Sequence, residues 1–206
     1  GTYLSVVRPR EAAITRERLL QANAFSHGEV MFRRSTYDRV GGYRPQFAYA
    51  QDRDLWLRMS AVASFGVVPE ILYHRVIFED GVSFVPDTFV RQARFSQLAA
   101  DLAIASPERQ LEILRRLDRM GLDAVVPDDH PLLRRRMLRK SLALGVAGRW
   151  GQARDLAGHL PSNGVGDVLA GTAIRGLAWA GERADPDGAR LAGVVRWLTR
   201  GRAKPS

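Results

Sequence analysis

Two carboxylates, Asp52 and Asp54, stand two residues apart in Phe47-Ala48-Tyr49-Ala50-Gln51-Asp52-Arg53-Asp54-Leu55-Trp56-Leu57-Arg58-Met59. A turn marked by Val40-Gly41-Gly42-Tyr43-Arg44 lies upstream, and an apolar piece ending in Tyr73-His74-Arg75 lies downstream. Acidic side chains suit the start of a helix, because its first N–H groups lack partners and its dipole favours negative charge there. A carboxylate at a pocket edge can also take a proton from a hydroxyl. The first 85 or so residues are therefore read as a scaffold that holds this pair. The other residues able to do chemistry nearby are His27, Arg33, Arg34, Trp56, His74 and Arg75.

The elements that would position them follow from pattern. Glu11 to Ala24 has apolar positions near helical spacing. Gly28-Glu29-Val30-Met31-Phe32-Arg33 reads as a strand. Ser35-Thr36-Tyr37-Asp38 has the form of a helix-starting box, and Gly41-Gly42 supplies the stop. Asp52 or Asp54 is expected to cap the next helix, with Leu55, Met59 and Val62 on one face. Phe65 to Val76 holds two short apolar runs split by Pro69, expected as strands.

After Pro86 helix signals replace strand signals. Phe95, Leu98 and Leu102 form one stripe. Ser106-Pro107-Glu108 starts a helix that Gly121 ends. Further helices are expected over Pro131 to Ala147, Trp150 to Leu160, Val165 to Ala180 and Gly188 to Arg200. Gly148-Arg149-Trp150-Gly151-Gln152-Ala153 is similar to the turn of a tetratricopeptide-like helix pair, without a repeating period to support it.

The chain has 206 residues, a formal net charge of +9 and no cysteine. That excludes a disulfide framework and Cys-ligated metal. The longest weakly charged stretch, Val165 to Ala180, is too short and too interrupted for a membrane span. Residues 1–85 carry 11 basic against 9 acidic side chains, and residues 86–206 carry 20 against 13. The second half thus holds most of the excess, nearly all as arginine. Arg134-Arg135-Arg136 and Arg139-Lys140, with Leu132, Leu133, Met137 and Leu138, form a basic amphipathic helix over 132–140. Such a helix suits an anionic membrane surface or is a solvated face. Nucleic acid is the third choice, because aromatics do not interleave with the cations.

Taken in order, Asn23-x-x-x-His27-Gly28, Val30-Met31-Phe32-Arg33-Arg34-Ser35, Val40-Gly41-Gly42-Tyr43-Arg44, Gln51-Asp52-Arg53-Asp54-Leu55-Trp56-Leu57-Arg58 and Val68-Pro69-Glu70-Ile71-Leu72-Tyr73-His74-Arg75 resemble the acceptor-side half of family 2 glycosyltransferases of the GT-A fold. The resemblance covers roughly residues 20 to 85. It implies an α/β partial GT-A-like domain over 1–85 and leaves 86–206 as an all-α helical region, so the fold class is α+β overall and helix-dominated. It implies an inverting transfer of sugar from a nucleotide-sugar donor to a sugar or lipid-linked acceptor, with Asp52 as general base. Gln51 stands where the family more often has Glu. Asp54 is then a cap or a second acceptor contact. His27 faces diphosphate or acceptor, or is a turn histidine. Arg75 neutralises leaving phosphate, or is a strand cation. Trp56 stacks on a sugar, or packs in the core.

The letters Asp52-Arg53-Asp54 are not the metal-binding D-x-D of that fold, which closes an apolar strand. The resemblance places the divalent cation (Mg or Mn) and the donor site mainly on residues outside this chain, expected before Gly1, and the chain alone as inactive or nearly so. It implies a cytoplasmic location, at the inner face of a membrane if the basic helix binds one. The rival reading is a non-catalytic helical interaction module with a degenerate transferase remnant.

Overall fold

A computed structural model describes residues 13–73, 86–160 and 165–184. The elements run β1 (Ala13–Ile14), α1 (Arg16–Gln21), a 3-10 turn (His27–Glu29), α2 (Arg34–Arg39), α3 (Gln51–Met59), β2 (Phe65–Gly66), α4 (Pro86–Ile104), α5 (Pro107–Met120), α6 (Leu122–Val125), α7 (Pro131–Val146), α8 (Trp150–Gly158) and α9 (Val165–Ala184). The protein is helix-dominated. Its described strands are one antiparallel pair, with Ala13 opposite Gly66 and Ile14 opposite Phe65.

The chain divides into two compact units, Gly1–Gly81 with Arg91–Pro127, and Val82–Val90 with Asp128–Ser206. The texture change at Pro86 marks a change of secondary structure, and packing divides elsewhere. In the first unit Phe95, Leu98 and Leu102 of α4 are buried along with Phe47, Leu55, Trp56, Leu57 and Met59. The Phe47 and Phe95 rings lie 5.7 Å apart. Burial at this scale contributes about 1.5–3 kcal/mol per large side chain.

Helices α1 and α3 run antiparallel, and arginines fix them. Arg16, first in α1, donates to Leu57 O at 2.8 Å near the end of α3. Arg53, near the start of α3, donates to Leu19 O at 3.1 Å and Leu20 O at 2.8 Å near the end of α1. Last-turn carbonyls have no partners within their own helix, so each arginine satisfies groups that the other helix leaves open. Arg53 also reaches the Ser96 hydroxyl on α4.

The ends of α5 and the end of α2 follow local chemistry, whereas the box expected at Ser35 does not form: α2 begins at Arg34, with Arg33 as N-cap and no side-chain cap bond. The Ser106 hydroxyl accepts from Arg109 N at 3.3 Å, Pro107 opens α5, and Gly121 ends it with φ 82°. Gly41 and Gly42 follow α2 at φ 77° and 67°. Gly42 N donates to Tyr37 O at 3.0 Å, which closes the helix. The expected cap of α3 does not hold: the N-cap is Ala50, left-handed at φ 52°. That conformation costs an L-residue about 1–2 kcal/mol. Ala50 is the one non-glycine with positive φ among the described residues.

The expected GT-A-like sheet is not formed among the described residues. Residues 27–29 make a 3-10 turn, and 30–33 and 67–73 belong to no helix or strand. A strand exists only by hydrogen bonding to a neighbour. Without one, apolar side chains that would pack on a sheet lie open: Met31 is 97% exposed and Leu72 76%. Helix α1 is also shorter than the periodicity of Glu11 to Ala24 predicts, ending at Gln21.

In the second unit α8 packs on both α7 and α9. Leu133, Met137, Leu144, Ala153, Leu156, Ala157, Ile174 and Ala178 form its core. Gly148 at φ 73° makes the α7–α8 turn. The Trp150 ring lies where a Cβ at Gly181 would sit, 2.6 Å away. The helix expected over Gly188 to Arg200 lies outside the described residues. No described helix is long and apolar enough to cross a membrane.

Candidate functional site

The antiparallel α1–α3 pair brings the chain just past α1 against the start of α3. Asn23 Nδ2 donates to Asp52 Oδ2 at 2.8 Å. Asp52 Oδ1 accepts from Arg53 N at 2.8 Å, one of the first-turn amides. Each carboxylate oxygen thus has one partner and spare lone pairs. Asp52 is half-buried and takes part in no ion pair among the described residues.

Asp54 is a different group. It is 1% exposed. Its Oδ1 accepts from Arg44 Nη1 at 3.0 Å, and its Oδ2 accepts from Arg58 Nη2 at 2.7 Å and Nε at 3.0 Å. Both oxygens are therefore committed to guanidinium groups. Asp54 neither caps α3 nor meets an acceptor; it ties the Gly-marked turn, through Arg44, to α3. A step of two residues in the helix separates the two roles, because positions 52 and 54 point about 200° apart around the axis.

An aromatic cluster lies beside Asp52. His27 Nε2 shares a 2.7 Å hydrogen bond with the Tyr43 hydroxyl, and the imidazole tautomer decides which donates. Tyr37 meets Tyr43 edge-on at 5.7 Å, and Phe32 stacks on Tyr37 at 5.7 Å. Behind them Trp56 takes Phe32 edge-on at 5.6 Å and His27 at 6.3 Å. Gly42 permits this packing, since a Cβ there would sit 2.8 Å from the Tyr37 hydroxyl. Burial first, then the Tyr37 and Asp52 charges, hold the Tyr43 phenol above its usual range. It stays protonated and remains a hydrogen-bond donor near the carboxylate. Phe32 and Tyr43 present open faces, whereas Trp56 is fully buried.

Of the site residues expected from sequence, Asp52 and His27 come to one surface with Tyr43. Trp56 is core and supports that surface from behind. Asp54 is withdrawn from it. Arg75 and His74 lie outside the described residues. Arg34 pairs with Asp38 at 2.9 Å on α2, and Arg33 is exposed at the start of that helix. Sequence reasoning gave no role to Asn23, Phe32, Tyr37 or Tyr43. The signal for Asn23 was its spacing of four before His27; the signal for Tyr43 was its place directly after the two glycines.

Among the described residues no three His, Cys, Asp or Glu side chains converge as a metal site. With Asp54 held by two arginines, Asp52-Arg53-Asp54 does not fit a divalent cation, and no step below runs through one.

In the second unit, Leu133 and Met137 of the basic helix are buried in the unit's own core, while Leu132 and Leu142 on α7 are exposed. Lys140 lies 5.5 Å from the Phe89 ring centroid. Burial, and then the Arg149 charge, pull it below the usual lysine range.

No protein-family model, no curated protein and no solved structure matches this chain.

Proposed function

We propose that this chain is the acceptor-side part of an inverting glycosyltransferase, with Asp52 as general base. The observation that carries the reading is the separation of the acidic pair: Asp54 locked between Arg44 and Arg58, Asp52 half-open beside aromatic faces. A structural pair would commit both carboxylates. A base needs one carboxylate that is oriented yet keeps lone pairs for a substrate proton.

In the proposed step Asp52 takes the proton of the acceptor hydroxyl as that oxygen bonds to the anomeric carbon. The bond from that carbon to the donor's diphosphate breaks on the opposite face, and its electron pair leaves with the diphosphate. Asn23 orients the carboxylate. Tyr43 and Phe32 supply the flat apolar surface on which the C–H face of a sugar rests, and the Tyr43 hydroxyl and His27 supply polar contacts. The donor, and the divalent cation that would neutralise its diphosphate, are assigned to residues outside this chain, as is any lipid anchor of the acceptor. The chain alone is then expected to bind nucleotide sugar weakly and turn it over little. A peripheral membrane contact would use the exposed arginines of α7. Nucleic acid is not part of the proposal.

The second reading, a non-catalytic helical module, draws on the extent of the helical region. Steady-state kinetics of Tyr43→Ala and Phe32→Ala in the assembled enzyme separate the two. The transferase reading expects a raised KM for acceptor with donor affinity unchanged. Weakened donor binding with unchanged acceptor KM overturns the acceptor assignment, and absence of transfer by the assembled wild type favours the module.

A further inference from the structure

On the Asp54 side of α3, away from Asp52, the first unit has a half-open cleft of about 220 Å³. Three guanidinium groups line it, from Arg16, Arg44 and Arg58, and one carboxylate, Asp54. The positive charge is not balanced. Asp54 serves Arg44 and Arg58. Arg16 has only neutral acceptors: Leu57 O at 2.8 Å, Ser60 Oγ at 2.9 Å and Ala103 O at 2.6 Å. Gln110, whose Oε1 accepts from Arg44 Nη2 at 3.2 Å, adds no charge.

Guanidinium is charged at any ordinary pH, so this excess cannot be relieved by losing a proton. Cations partly withdrawn from water, as these are, gain from a further counter-charge. Burial works against the charged form of Arg44, Asp54 supports it, and the neighbouring Arg58 charge opposes it. A planar guanidinium fork matches tetrahedral oxyanions, and converging forks select them over halides. The volume is below that of pockets for drug-sized ligands, roughly 300–1,000 Å³. The occupant is therefore small.

We propose that this cleft is a binding site for a small tetrahedral dianion of the phosphate class, held by Arg16, Arg44 and Arg58. It is separate from the Asp52 surface and stands or falls independently of the transferase reading. Filling it supplies a counter-charge hydrogen-bonded to Arg16, whose neighbouring carboxylate, Glu17, is exposed, and cross-links α1, α3 and the turn carrying Arg44, so the ligand stabilises the first unit.

The test is thermal unfolding and isothermal titration calorimetry of the wild-type chain with inorganic phosphate, against chloride at matched ionic strength. At about tenfold excess over the dissociation constant, the wild type is expected to gain about 3–6 °C in Tm. Gln110→Glu places a carboxylate where Oε1 already accepts from Arg44, at the loss of the Nε2 donor to Ala105 O at 3.1 Å. It is expected to abolish the phosphate response, read as the difference in Tm between phosphate and chloride for each variant. Arg16→Gln is expected to abolish the response as well. A Tm and calorimetric signal equal to those in chloride overturns the proposal, as does a Gln110→Glu variant that keeps the full phosphate response.

Discussion

Replacing Asp54 by Asn keeps the shape of the side chain and removes one charge. In the folded protein that charge receives three hydrogen bonds from two arginines, at 2.7 to 3.0 Å. Removing one partner of a buried ion pair costs about 3–5 kcal/mol, because the remaining charge is stranded. Two features of this site set the figure near the lower end. The Arg44 and Arg58 side chains retain 20% and 14% exposure, so water reaches them, and the Asn oxygen still accepts one bond. The expected loss is about 3 kcal/mol. The same change at Asp52 removes a half-open charge with no ionic partner, and both of its hydrogen-bond donors can still be met by Asn oxygen or water. Its expected cost is about 0.5–1 kcal/mol. Urea unfolding followed by circular dichroism gives both numbers, and hydrogen exchange of the α3 amides reads the first unit separately. Equal costs, or a larger cost at Asp52, would refute the division of labour drawn between the two carboxylates.

Two other perturbations follow from geometry elsewhere. Gly181→Ala sets helix propensity, which favours Ala by about 1 kcal/mol, against a Cβ placed 2.6 Å from the Trp150 ring. Overpacking of about 1–3 kcal/mol is expected to win, lowering the urea midpoint of the second unit, whereas a raised midpoint would mean that Trp150 has room to move. At α5, a hydrogen bond to its own backbone amide, and then one with Ser106, hold the Glu108 carboxyl below its ordinary value of 4.5. Its contribution is therefore fully present above that pH and lost as pH falls through the folded value. Acid titration should show the wild type losing more stability than Glu108→Gln below pH 4.5, and parallel curves would contradict it.

What was legible in the sequence was local. Ser106-Pro107 and Gly121 bound α5 because caps and positive-φ stops act within a few residues, and the three helices from Pro131 to Ala184 follow from apolar spacing. Gly41-Gly42 ends α2 for the same reason. What was not legible depends on partners distant in sequence. Arg58 stands four residues after Asp54, a local helix pairing, but nothing near Asp54 says that Arg44, ten residues back, will join it, so a cap was expected where an ion pair exists. Nothing local to Ala50 announces its left-handed conformation. The run Gly28 to Arg33 has strand composition, yet composition cannot supply the neighbouring strand that would pair with it. The boundary at Pro86 was read from texture, while burial of Phe95, Leu98 and Leu102 joins α4 from Arg91 onward to the first unit. Asn23 and Tyr43 were visible as letters, and only the α1–α3 crossing turns them into neighbours of Asp52.

The central claim concerns Asp52, and its most direct test is the transfer rate of Asp52→Asn in the assembled enzyme at saturating donor and acceptor. Loss of a general base lowers such a rate by about 10²–10⁴-fold. If Asp52 is the base, the rate falls in that range with donor affinity and the urea midpoint nearly unchanged. A variant that transfers sugar within a few-fold of the wild-type rate contradicts that role.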